Sequence, residues 1–220
     1  MGPAALLFDL DGTLVDSAPG IASALSNLSV ARGGDPVEVD LIRQLVSQGV
    51  EVLVRRGLGP VAGQGERDVA EFRAILRDVP ADPACIFPDV VDALGGLQGR
   101  GHRCAVITNK PEELSRRLLQ QLDLEQFFDA IVGGDTLAVC KPDPSPLLHG
   151  LSAMGAFPGH AIMIGDSDVD AMAAQRAGLP FLLYAAGYAA HACGEIPVAG
   201  QFSVFAELPN LVAEWDRQKC

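Results

Sequence analysis

Leu6-Leu7-Phe8-Asp9-Leu10-Asp11-Gly12-Thr13-Leu14-Val15-Asp16 decides how the rest of the chain is read. A short apolar run ends in two carboxylates one residue apart, then a Gly-Thr turn signal. Such a run reads as a buried strand. Residues i and i+2 of a strand share a face, so Asp9 and Asp11 start out pointing the same way near its carboxyl end. Two such carboxylates repel each other and resist desolvation. A hard divalent cation such as Mg2+ removes that penalty, because it prefers oxygen ligands. The pair alone fits two solvated loop aspartates equally well, so the remaining strand ends must decide.

Working outward, residues 17 to about 80 read as helical. Ser17 is a candidate N-cap with Pro19 in the first turn. Ile21, Ala24, Leu25 and Leu28 then recur at helical spacing, as do Val39, Ile42 and Val46, then Val50, Leu53, Val54 and Leu58. Val69, Phe72, Ile75 and Leu76 give an amphipathic helix over residues 66–78, and Pro80, Pro83 and Pro88 mark a stiff exit. Beyond it, helix and strand alternate: helix 90–97, strand 103–108, helix 112–122, strand 130–133, helix 145–154, strand 161–165, helix 169–177, strand 181–185. That alternation predicts an α/β fold with a Rossmann-like parallel sheet. The expected organisation is a core of residues 1–16 and 84–220, with an inserted α-helical cap at 17–83.

In a parallel sheet, ligands bind beyond the carboxyl ends of the strands. The strand 103–108 ends in Thr108-Asn109-Lys110-Pro111, whose hydroxyl and N–H groups suit either a phosphate oxygen or a helix N-cap. Lys141 is one of three lysines and stands between Val139 and a proline-rigid turn, a poor place for a solvated ammonium. The strand 161–165 empties into Asp166-Ser167-Asp168-Val169-Asp170. Asp166 is best placed to join Asp9 and Asp11 on a metal. Asp170 either caps the following helix or orients Lys141 or a metal-bound water, and Asp168 reads as solvated.

The whole composition narrows the classes of function. The chain has 220 residues, 49% of them hydrophobic, enough for a sizeable core. A net charge of -12 excludes a nucleic-acid partner on electrostatic grounds. A phosphate site here must therefore be locally cationic. No stretch approaches the roughly 18 apolar residues of a membrane helix, and no basic leader precedes the first apolar run. Five cysteines with no Cys-x-x-Cys fit a reducing, cytoplasmic compartment rather than disulfides or zinc. Cys104 reads as core and Cys220 as an exposed thiol. A monomer or a homodimer is expected.

Taken in order, Asp9-Leu-Asp11-Gly-Thr13, the Thr108 strand end, Lys141-Pro142 and Gly165-Asp166-Ser-Asp-Val-Asp170 resemble the four motifs of the haloacid dehalogenase (HAD) superfamily. The resemblance spans nearly the whole chain, and the helical insert is similar to that family's C1 cap. Thr108-Asn109-Lys110-Pro111, Gly133-Gly134-Asp135-Thr136, Lys141-Pro142-Asp143-Pro144, Gly187-Tyr188 and Arg43 to Gly49 look most like phosphoglycolate phosphatases. Ser47 and Asp89 stand where those relatives usually carry glycine.

The resemblance implies a Mg2+-dependent phosphatase for a small phosphorylated metabolite, 2-phosphoglycolate above all. Asp9 would be the nucleophile and Asp11 the acid and base. Asp9, Asp11 and Asp166 would hold the metal, and Thr108, Asn109 and Lys141 the phosphoryl group. Asp170 would support them from behind, and Gln48 would be the cap contact. Close alternatives are hydrolysis of a sugar phosphate, nucleotide or pyrophosphate, or a β-phosphoglucomutase-like mutase. Asp11 argues against a family dehalogenase, which has no leaving alkoxide to protonate. A cap without lysine argues against a Schiff-base phosphonatase. A non-enzymatic phosphate-binding regulator would be expected to have lost one of Asp9, Asp11, Lys141 or Asp166, and all four are present.

Overall fold

Ala5–Phe8 forms β1, and its four residues are buried on both faces. β1 pairs in parallel with β2 (Arg103–Ile107) on one side and β4 (Ala161–Gly165) on the other. β3 (Ala130–Val132), β5 (Phe181–Tyr184) and β6 (Gly200–Phe202) complete a parallel sheet of order β3-β2-β1-β4-β5-β6. This is the structure as a computed structural model, which describes residues 2–194 and 196–219. Cys220 lies outside the described residues.

The period-two alternation of each strand sorts side chains into two layers. Leu6, Phe8, Cys104, Val106, Ile162, Ile164, Leu182 and Tyr184 face one way. They pack on α5 (Val90–Gly99), α6 (Glu112–Gln121) and α9 (Leu208–Lys219). Ala5, Leu7, Ala105, Ile107, Met163, Phe181 and Leu183 face the other way, against α7 (Ser145–Ala153) and α8 (Asp168–Ala177). Strands buried on both faces need the continuous apolar runs seen in the sequence. The expected α/β sheet is therefore present, and Cys104 is core as read.

Between β1 and β2 the chain forms α1 (Ala18–Ala31), α2 (Val39–Leu45), α3 (Val50–Leu58) and α4 (Gly65–Asp78). These helices close on an apolar cluster of their own, centred on Leu25, Ile42, Leu45, Leu58 and Phe72. One expectation changes, and two elements are added. Ser17 precedes α1 but makes no side-chain cap, because its hydroxyl is drawn to Asp11. The carboxyl-terminal stretch, left unassigned by periodicity, contributes β6 and α9.

Candidate active site

The chain builds β1, β2 and β3 outward to one side, then returns to lay β4 on the opposite side of β1. The crevice at such a reversal, beyond the strands' carboxyl ends, is where α/β sheets bind ligands. Asp9 follows β1, Thr108 follows β2 and Asp166 follows β4, while Lys141 arrives on the loop after β3. All four are buried.

Lys141 joins two of the carboxylates. Its Nζ donates to Asp9 Oδ1 at 2.8 Å and to Asp170 Oδ1 at 2.6 Å. Asp170 Oδ2 accepts from the Ser167 N–H at 3.2 Å and Ser167 Oγ accepts from the Asp170 N–H, which is the capping box that starts α8; the Ser167 hydroxyl also donates to Asp170 Oδ2 at 2.6 Å. Both readings of Asp170 thus hold together: it caps the helix with one oxygen and holds Lys141 with the other. Asp166 Oδ1 accepts from Thr13 Oγ1, and its Oδ2 from the Tyr188 N–H, each at 2.8 Å. Asp9, Asp166 and Asp170 each offer an oxygen, all within 4.8 Å of one another.

The Asp11 carboxylate stands apart from that group. It accepts from Ser17 Oγ at 2.5 Å and from Lys110 Nζ at 3.1 and 3.2 Å. Strand geometry ends at Phe8, so the shared face of residues i and i+2 no longer applies at Asp11. Gly12 then turns the chain at φ 89°, where a Cβ would meet Asp166 Oδ2 at 2.6 Å. Asp170, rather than the side chain of Asp11, is the third carboxylate beside Asp9 and Asp166.

Four carboxylates, Asp9, Asp11, Asp166 and Asp170, face two ammonium groups, those of Lys110 and Lys141. The imbalance is visible in the ionisation of the site. Burial, then the Asp170 charge, pushes Asp166 up to about 7. Burial and the same neighbour raise Asp9 well above the carboxylate range, against the pull of Lys141. Burial alone would lower Lys141, but Asp170 and Asp9 outweigh it and hold the ammonium above its ordinary value. A divalent cation among Asp9, Asp166 and Asp170 would supply the missing charge, and an all-oxygen donor set suits Mg2+.

A cavity of about 20 Å³ lies over these groups, with Asp9, Asp11, Thr108 and Lys141 in its walls and Val46 and Ser47 above them. The expected cap contact, Gln48, is not in those walls: it is exposed, and its amide donates to the Gln44 carbonyl at 2.9 Å. Ser47, one residue earlier on the same 3-10 turn, faces the cavity instead. Thr108 Oγ1 accepts from the Lys110 N–H at 3.2 Å. The Asn109 amide is committed to Lys141: Nδ2 donates to its carbonyl and Oδ1 accepts from its N–H, both at 2.9 Å. Asn109 therefore sets the backbone that carries the ammonium.

Residues 3–178 match the family model described as hydrolase, haloacid dehalogenase-like hydrolase. The chain belongs to the haloacid dehalogenase-like hydrolases. A phosphoglycolate phosphatase of Rhodobacter capsulatus is 37% identical over 221 residues, 98% of this hydrolase and 99% of the relative. That of Cereibacter sphaeroides strain ATCC 17029 is 39% identical over 215 residues, 94% and 96% of the two chains. Among solved structures, a predicted phosphoglycolate phosphatase from Haemophilus somnus 129pt superposes with a TM-score of 0.81 at 26% identity, covering 95% and 97%. The expectation of a phosphoglycolate phosphatase-like hydrolase, a phosphatase by activity, is met.

Several residues of this hydrolase's site escaped the sequence reading. Lys110 is one, although the scarcity that singled out Lys141 applied equally to it. Tyr188 is another. Its N–H holds Asp166, and its hydroxyl donates to Asp16 Oδ1 at 2.6 Å, with Arg43 Nη2 on Asp16 Oδ2 at 2.7 Å. No local pattern could have joined positions 16, 43, 166 and 188.

Proposed function

We propose that this phosphatase is Mg2+-dependent, forms an aspartyl-phosphate on Asp9 and takes 2-phosphoglycolate as substrate, with residues 17–83 as its cap. The observation that carries the reading is the division of labour between the two aspartates. Asp9 lies with Asp166, Asp170 and Lys141, whereas Asp11 lies across the same cavity on Lys110 and Ser17. A nucleophile and a proton carrier need that separation.

Lys141 engages one oxygen of Asp9 and orients the other toward phosphorus. That oxygen forms the new P–O bond as the ester P–O bond breaks. Asp11, in its acid form, gives its proton to the departing alkoxide. It then takes a proton from water, whose oxygen attacks phosphorus and releases the Asp9 carboxylate. Bound Mg2+ would draw charge from the phosphoryl oxygens and lessen their repulsion of the incoming carboxylate. Val46 and Ser47 shield the cavity from bulk water. Similarity to the phosphoglycolate phosphatases of Rhodobacter capsulatus and Cereibacter sphaeroides supports the choice of 2-phosphoglycolate, and four free cysteines support a reducing, cytoplasmic setting.

The test is phosphate release across 2-phosphoglycolate, sugar phosphates, nucleotides and pyrophosphate, with Mg2+ and with EDTA. The highest kcat/KM is expected on 2-phosphoglycolate with Mg2+. Asp9→Asn, which keeps the volume and removes the nucleophile, should lower turnover about a thousandfold with the fold intact. Substantial turnover in that variant would remove Asp9 from its role, and no release from any ester would end the phosphatase reading.

A further inference from the structure

Next to the catalytic cavity is a second chamber of about 40 Å³ that shares Asp11, Val46, Asn109 and Lys110 with it. Its far walls are largely apolar, with Leu53 and Leu114 among them. Arg73 is the exception. On α4 it falls on the same face as Val69 and Leu76, since residues three and four apart are neighbours on a helix. Phe72 and Leu76 line the chamber with it.

Arg73 has no hydrogen bond and no ion pair among the described residues, and its Nε is a buried donor without a partner. A guanidinium is always charged, and a buried unpaired donor is costly, so such a group calls for an anion. The other two charged walls of the chamber, Asp11 and Lys110, already pair with each other at 3.1 Å. The unspent charge is that of Arg73.

Resting on the phosphatase reading above, we infer that Arg73 is the specificity residue that binds the substrate's carboxylate while its phosphoryl group sits over Asp9. A carboxylate matches the planar fork of a guanidinium through two parallel hydrogen bonds. At about 10–15 Å³ per water, the chamber holds roughly three waters, the size of a two-carbon acid. Its size favours a two-carbon acid over a hexose or nucleoside. The apolar walls select against other polar groups, because those would be desolvated without a partner. A small phosphomonoester with a terminal carboxylate satisfies phosphate site, chamber volume and Arg73 together.

The experiment is calorimetric binding, with Mg2+, of two non-hydrolysable phosphonates of equal length. 3-Phosphonopropionate carries the carboxylate, and n-propylphosphonate ends in methyl. The native protein should prefer the acid by about 30- to 100-fold, the worth of a hydrogen-bonded charge pair. Arg73→Met should bring that ratio to near one, and Arg73→Gln, which removes the charge but keeps a polar end, should lower it in the same direction should the methionine variant fail to fold. A native ratio near one, or a folded variant that keeps the preference, overturns the inference. Loss of the preference in the variants, with no phosphate released from 2-phosphoglycolate by the native protein, would sink the choice of 2-phosphoglycolate as substrate and leave the carboxylate-binding role of Arg73 standing.

Discussion

Asp89 shows how a single residue can carry strain. It sits at φ 64°, the left-handed region that favours glycine, directly before α5. The family resemblance put a glycine at this position, and the backbone explains why: without a Cβ the conformation is free of steric cost. Asp89→Gly should stabilise the protein by about 1 kcal/mol, raising Tm by about 2–4 °C. A melting curve checks it, and an unchanged or lower Tm would mean that the unfolded chain gains as much freedom as the folded one loses strain. Lys141 and Lys110 make the complementary point. Scarcity and setting marked Lys141 in the sequence, but only coordinates show Asn109 gripping its backbone and Lys110 facing the other aspartate.

At the scale of an element, the start of α8 holds both structure and chemistry. Ser167 caps the helix and donates to Asp170, which in turn holds Lys141. Ser167→Ala removes the cap and should cost about 1 kcal/mol of stability. It should also lower kcat, since Asp170 Oδ2 then keeps only the longer bond from the backbone N–H of residue 167 and loses the hydroxyl; thermal melts and steady-state kinetics separate the two effects. The strand ends that surround Lys141 predict a pH dependence. Asp166 titrates near 7 in the folded protein against an ordinary value of 3.8. The folded state therefore binds more protons than the unfolded state across that window. The contribution of Asp166 to the stability of the metal-free protein is fully present below about 4 and lost as pH rises through about 7. Melts in EDTA should fall over this range, and Mg2+ should restore Tm more at pH 7.5 than at pH 5. Equal gains at both pH values would remove the cation from the carboxylate group.

For the whole molecule, the question is how the helical insert stays registered on the sheet. Arg43 on α2 reaches Asp16, which Tyr188 also holds, and the Tyr188 N–H ends on Asp166. Arg43 is 38% exposed in its side chain, so the ion pair adds little to stability. Arg43→Met should shift Tm by no more than about 2–4 °C, equivalent to about 1 kcal/mol. Activity should fall about tenfold, because a small misplacement of the insert's walls over Asp9 is costly to the rate. A variant that melts early and turns over normally would reverse that assignment.

The α/β order, the helical insert, the buried strands and the four motifs were legible because they depend on local pattern. Apolar runs, helical periodicity and carboxylates at strand ends are written in consecutive residues. β6 and α9 escaped because Gly200-Gln201-Phe202 carries no apolar run of the kind that marks β3, and the half-exposed helix at 208–219 draws on packing rather than period. The partners of the carboxylates, the loss of Gln48 from the site, the substitution of Asp170 for the Asp11 side chain and the unpaired Arg73 were decided by tertiary structure alone. Each depends on which distant residue arrives within hydrogen-bond distance. Side-chain spacing along one segment carries no record of that.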